Sequence, residues 1–337
     1  MNIATALNKK YVPYATVMLL SLCENNKEHV DAYLLNSELN DEDLNIMRSE
    51  LKGHDITVYS VRIDRDRFEK RLPVNDQWSI EMYYRLLMIE VIPKSIDRIL
   101  YLDVDIIVNL SIHSFYQACF NGKELLVSDD KGGKNDPSGY GPKNREMLNE
   151  AYNSGHRYFN SGVMLMNLSL LRQKYSFKTY TDAIREWNYE MEAPDQDILN
   201  WVHWRNVGFV DYRIYDYFSR VAHNDGVRYT EAKEKIAIIH FAGAKPWEYK
   251  GFHYDLEKLW WDYAKQTSFY TKFLEDFIQA SLMDTTIEDY LIGLENSNSM
   301  LKEKLNSMTV TLKNISDKRC CIFVHWSVGT NRKVLYE

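Results

Sequence analysis

Residues 98–108 read "RILYLDVDIIV". Eight of these eleven residues suit a buried strand, and after Arg98 the apolar run is broken only by Asp103 and Asp105. In a strand, side chains i and i+2 point to the same side, so the two carboxylates are expected to stand together. Two desolvated like charges at that distance repel. The arrangement becomes favourable when a divalent cation sits between them and phosphate oxygens complete its shell. The plainer alternative is a strand that ends at Leu102, with both aspartates solvated in the loop beyond.

The flanking segments alternate between strand and helix patterns. Strands are expected over 2–7, 30–36 and 55–61. Helices are expected over 17–25, over 41–51 behind the Asn40-Asp41 cap signal, and over 80–91, ending before Pro93. Beyond the aspartates come a strand at 124–128 and a polar stretch at 129–145 rich in Gly, Pro and Asn. A loop of that length reads as a functional flap. Strand character returns in "FNSGVMLMNL" (159–168), helices follow over 169–187 and 196–204, and "EKIAIIHFAG" (234–243) is the last strand. This β-α-β alternation predicts an α/β fold with a mostly parallel sheet. One domain is expected over 1–280, with a polar helical tail over 281–337.

Composition narrows the function. The chain of 337 residues is 45% apolar and 26% charged, which reads as globular, and its net charge of −7 argues against a general nucleic-acid binder. Residues 301–337 hold seven Lys/Arg against three Asp/Glu, so this acidic chain ends in a basic tail. Cys23, Cys119, Cys320 and Cys321 show no metal-ligand spacing and suit a reducing, cytoplasmic setting. No apolar run reaches the ~18 residues of a membrane-spanning helix, and residues 1–8 read as a strand rather than the start of a signal peptide.

A second stretch, "HFAGAKPW" (240–247), follows the apolar run "IAII". His240 at that strand end is a suitable third ligand beside two carboxylates, for manganese or magnesium. Gly243 lets the backbone approach a phosphate, and Lys245 offers it a point charge. Together "YYRLL", "RILYLDVDIIV", "FNSGVMLMNL", "DQDILN" and "HFAGAKPW", in this order over about residues 1–270, resemble glycosyltransferase family 8. That family includes bacterial lipopolysaccharide galactosyl- and glucosyltransferases and the glycogenins.

The resemblance implies a GT-A type, nucleotide-sugar-binding fold. It places the family's D-x-D on Asp103, Val104 and Asp105 and its metal-binding histidine on His240, holding Mn²⁺ (or Mg²⁺) against the diphosphate of a UDP-sugar. Gly243 and Lys245 would contact that diphosphate, although some members have one more residue between them. Arg85 matches a donor-contacting arginine. Asn160, Asp195 and Gln196 match residues that bind the donor sugar, with Gln196 and Asp195 the catalytic candidates. Ala6, Asn8 and Tyr11 match the nucleoside site, with Asn8 standing where many members have Asp. Asp130 falls where members place an acceptor contact, and Asp129 is its neighbouring competitor.

The implied activity is retaining transfer of glucose or galactose to a hydroxyl of a surface glycan, lipid-linked saccharide or glycoprotein. Because Gln196 is an amide, a front-face mechanism is expected. Two alternatives stay open: a nucleotide-sugar-binding module without turnover, and a haloacid-dehalogenase-like phosphatase using Asp103 and Asp105. For residues 285–337, peripheral membrane contact is the expected mode, with self-association through a coiled coil the alternative.

Overall fold

The computed structural model describes residues 1–74, 79–131, 141–283 and 294–309. The chain divides into two units, Met1–Phe277 and Ile278–Glu337. In the first lie strands β1 (Asn2–Ala6), β2 (Val30–Asn36), β3 (Ile56–Arg62), β4 (Arg98–Leu102), β5 (Ile106–Val108), β6 (Leu125–Asp129), β7 (Phe159–Asn167), β8 (Val207–Phe209), β9 (Tyr217–Phe218) and β10 (Ile238–His240). Seven form one sheet in the order β3-β2-β1-β4-β7-β6-β8, and β5, β10 and β9 form a second. The larger sheet is parallel except for β7, which runs against both β4 and β6. The mixed α/β architecture with a mostly parallel sheet is therefore observed.

The run 98–108 is not one strand. β4 ends at Leu102, β5 begins at Ile106, and the two lie in different sheets with Asp103 and Asp105 in the turn between them. Carboxylates cannot remain among the fully buried residues of a central strand, so the chain turns where they occur. Alternation along β4 splits the core: Ile99 and Tyr101 join one apolar cluster, Leu100 and Leu102 the other. A third cluster, with Trp247, Trp260 and Phe273, packs on Ile107 and Ile239 of the smaller sheet.

Several helices depart from expectation. Helix α1 (Val12–Asn25) starts before residue 17, because Pro13 in its first turn presets the backbone and needs no N–H partner there. Helix α2 (Asp41–Glu50) opens as expected, with Asn40 Oδ1 accepting from Asp43 N and Asp43 Oδ2 from Asn40 N, each at 3.0 Å. Residues Ile80–Leu87 form 3-10 turns, leading into a short α-helix at Met88–Val91. The helix expected over 169–187 is two, Leu168–Lys174 and Phe177–Glu186, separated at Tyr175 and Ser176, both extended. The last strand shrinks to Ile238–His240.

Just before β6, Glu124 is a buried acid with four donors. Its carboxylate accepts from His203 Nδ1 (2.9 Å), Lys174 Nζ (2.8 Å), Tyr175 OH (3.0 Å) and Asn206 Nδ2 (3.0 Å). Burial works to raise this carboxyl, but His203, Lys174 and Asn206 hold it down at about 2 against an ordinary 4.5. A carboxyl depressed in the folded state stabilises above its unfolded pKa, and that contribution is lost as pH falls through the folded value. Melting temperature should thus fall from about pH 4.5 towards 2. In Glu124→Gln the fall should be shallower over that window; an unchanged slope would remove Glu124 from the acid response.

In the second unit, residues 294–309 form a helix with every side chain exposed. Part of the expected flap (132–140) and the basic end of the tail (310–337) lie outside the described residues. Among the described residues no helix is long and apolar enough to cross a membrane.

Candidate active site

Three chain segments meet at one end of the larger sheet. β1 and β4 are parallel and deliver their carboxyl ends there, where ligands of α/β sheets bind. Because β7 is antiparallel to β4, its beginning, Asn160-Ser161-Gly162, arrives at the same end. Asp103 N donates to Gly162 O at 2.9 Å, which joins the turn to that strand. From the smaller sheet, β10 pairs with β5 so that His240 lies opposite Ile106, beside Asp105.

The result is a cluster of Asp103, Asp105 and His240 whose candidate ligand atoms all lie within 4.8 Å of one another. Two carboxylates and an imidazole make a hard, oxygen-rich donor set that fits Mn²⁺ or Mg²⁺. The imidazole is oriented from behind. His240 Nδ1 lies 2.9 Å from Asp216 Oδ1, with both side chains buried, so Nε2 is turned to Asp105 Oδ1 at 3.4 Å. Burial opposes protonation of His240, yet Asp105 and Asp216 push its pKa up to about 10. Burial likewise pushes Asp216 up to about 6, against the pull of His240. A cation taking Nε2 must displace that proton, so binding would weaken as pH falls.

Arg85 ties the cluster to the rest of the site. Its side chain is 6% exposed. Nη2 donates to Asp103 Oδ1 (2.8 Å), Nε lies 3.1 Å from Asp195 Oδ2, Nη1 donates to Ser161 O (2.8 Å), and the guanidinium sits 4.4 Å from the Tyr101 ring centroid. Burial would lower the Arg85 pKa, but Asp103 and Asp195 more than offset it. Burial raises the Asp195 carboxyl, and the Asp103 charge adds to this while Arg85 opposes. Asp195 is thus engaged by Arg85 and by Ser161 Oγ (3.1 Å). Lys245 Nζ donates to Asp105 Oδ2 and to Phe241 O (3.1 Å). Burial alone would raise the Asp105 carboxyl; Lys245 and His240 instead hold it well below the usual range.

Gln196 is equally fixed. Its Oε1 accepts from Asn160 Nδ2 (3.0 Å) and Ser161 N (2.9 Å), and its Nε2 donates to Asp130 Oδ2 (2.7 Å). Asp129 instead pairs with Arg157 at the surface. Two cavities are lined by residues of the site. One of about 160 Å³ is lined by Ala6, Asn8, Tyr11, Arg85, Val104 and Lys245, together with both aspartates of the turn. The other, about 440 Å³, is lined by Asp130, Asn160, Gln196, Phe218, Gly243 and Tyr254. Gly243 adopts φ +97°, open to glycine and strained for other residues. Asp195 lines neither cavity.

Two further positions escape sequence reading. Asp216, in "IYDYF", belongs to no motif, and only the fold reveals it behind His240. Gly162 was within reach, as the glycine of "FNSG". A Cβ there would lie 2.5 Å from His240 Cε1, 2.7 Å from Asp103 Oδ2 and 2.9 Å from Asn160 Oδ1. The cluster closes only over a residue with no side chain. Gly162→Ala should spare the fold but push these groups apart, costing about 10²-fold in turnover, as misplacement near 1 Å does. Steady-state kinetics with a melting curve would check it; wild-type turnover would mean that His240 can move aside freely.

A sequence profile described as "Glycosyl transferase family 8" matches residues 2–251. A lipopolysaccharide 1,2-glucosyltransferase of Escherichia coli is 27% identical over 254 residues, 73% of each chain. A putative glycosyltransferase of Haemophilus influenzae is 26% identical over 218 residues, 63% of this chain and 62% of that one. Among solved structures, the galactosyltransferase LgtC in complex with donor and acceptor sugar analogues superposes with a TM-score of 0.67 at 22% identity, covering 80% of this chain and 96% of that one.

Proposed function

The chain belongs to glycosyl transferase family 8, and from that premise we propose that it transfers glucose or galactose from a UDP-sugar to a glycan hydroxyl, with retention of configuration. One observation carries this reading: Asp103 and Asp105, which cluster with His240, line the same cavity as Ala6, Tyr11, Arg85 and Lys245. That juxtaposition suits a nucleoside diphosphate, with an aromatic face for the base and charge for the phosphates. The glucosyl- and galactosyltransferase names of relatives support a hexose donor and a surface-glycan acceptor. Membership in a glycosyltransferase family sets aside the phosphatase reading.

Asp103, Asp105 and His240 would hold Mn²⁺, which when bound stabilises the negative charge that develops on the departing diphosphate. Lys245 reaches this position from beside Asp105 and would add its ammonium to the diphosphate. Arg85 holds Asp103 in place and compensates Asp195. Asn160 and Gln196 line the larger cavity with amide groups suited to sugar hydroxyls, and Asp130 accepts from Gln196 where an acceptor would enter.

Retention by double displacement needs a nucleophile on the sugar face opposite the leaving group. Gln196 is an amide whose oxygen is already hydrogen-bonded, and Asp195 is buried with its carboxylate engaged by Arg85 and Ser161. Attack from the front face by the acceptor hydroxyl, with its proton passing to a departing phosphate oxygen, fits these positions better.

The test is UDP release with Mn²⁺ across UDP-glucose, UDP-galactose and UDP-N-acetylhexosamines, with and without oligosaccharide acceptors. Metal-dependent release from one hexose donor is expected. Tight donor binding without any release would favour the binding-module reading instead.

A further inference from the structure

The helix over 294–309 is rich in Asn and Ser, which favour caps and turns over helix interiors, and none of its side chains is buried. A short polar helix is marginal in water and persists through packing of an apolar face. Such a face exists. Leu294, Asn298, Leu301, Leu305 and Met308 follow one another at alternating spacings of four and three, and the four apolar members are 45–66% exposed. In sequence the same alternation extends back through Leu291 to Ile287 and on through Leu312 to Ile315. A 4-3 repeat is a seam two residues wide per heptad, and it selects a left-handed coiled coil. All its positions but one are Leu, Ile or Met; the exception is Asn298.

We propose that the helix over 294–309 pairs with the same segment of a second copy of this chain as a parallel two-stranded coiled coil, registered by Asn298 against its counterpart. The single polar residue decides both partner and direction. In a parallel pair, equivalent seam positions face each other, so the two amides hydrogen-bond. In an antiparallel pair Asn298 faces a leucine layer and its amide is buried without a partner. A lone seam asparagine is known to fix register and two-strandedness in coiled coils.

A lipid surface is the competing occupant, and the described helix suits it poorly. Interfacial helices carry a broad apolar face and a basic polar one. Here the stripe is narrow and holds an amide near its start. Lys302 and Lys304 are balanced by Glu295 and Glu303.

Sedimentation of the full chain should give twice the chain mass of 39.9 kDa. Leu301→Glu/Leu305→Glu should return it to one chain mass with the thermal melt of the first unit unchanged, since both side chains are exposed. Under mild oxidation Asn298→Cys should cross-link into a covalent dimer well above the background of the native cysteines. Asn296→Cys, on the outer face, should not. A wild-type chain at single mass throughout the micromolar range overturns the proposal, as does a dimer that survives the charged pair. Single-mass protein that floats with anionic vesicles would assign the face to lipid and overturn it too. Equal cross-linking at 298 and 296 would overturn the parallel register.

Discussion

Replacing both acids of the turn, Asp103→Asn/Asp105→Asn, should lower UDP release from the preferred donor by about 10³-fold or more, since losing even one preorganised electrostatic contact commonly costs about 10²–10³-fold. The amides keep the shapes of the acids, so the effect isolates charge. Two of the three ligand groups become neutral, weak donors to a hard cation. Arg85 keeps Asp195 as a partner, so the fold should persist. Mn²⁺ binding by titration calorimetry should vanish together with turnover, while the melting curve shifts little. Turnover within tenfold of wild type would mean that the cluster does not carry the chemistry.

Arg85→Met should have the largest effect on stability. Arg85 is buried between the carboxylates of Asp103 and Asp195 and caps the Ser161 carbonyl. Methionine fills part of the volume but leaves two acids facing each other without a counter-charge. Breaking a buried pair in this way costs about 3–5 kcal/mol, or roughly 6–10 °C in melting temperature for a unit of this size. Adding Asp195→Asn should recover part of that loss, because it removes one of the stranded charges; two variants in contact are not expected to be additive. A drop below about 1 kcal/mol in Arg85→Met would show the two acids to be hydrated rather than buried with their partner.

Much of the fold could be read from local signals. The first two strand–helix repeats follow from apolar runs closed by polar stretches, and α2 from the Asn40 and Asp43 pair. What escaped reading was set by partners distant in sequence. Nothing within "FNSGVMLMNL" reveals that β7 runs opposite to its neighbours, since a strand buried on both faces carries no mark of direction. The 3-10 winding of Ile80–Leu87 is imposed by tertiary packing on residues with helical periodicity. The site shows the same division. Asp103, Asp105 and His240 were legible because charge inside an apolar run demands an explanation. Asp216 sits between ordinary tyrosines, and its place behind His240 depends on β9 lying beside β10.

The division of strands between two sheets also sets an order of assembly. By residue 209 every strand of the larger sheet has been synthesised, so a growing chain can complete it. β5 then still lacks its neighbour, because β10 arrives only with residues 238–240. Until that point Ile106–Val108 is an unpaired apolar edge, the kind that invites non-native pairing. Contacts that span so much sequence form slowly. The turn holding Asp103 and Asp105 is therefore made early and meets His240 late. If the proposed function holds, donor binding would draw on all three; it would report that folding has finished and hold in place the junction that closes last.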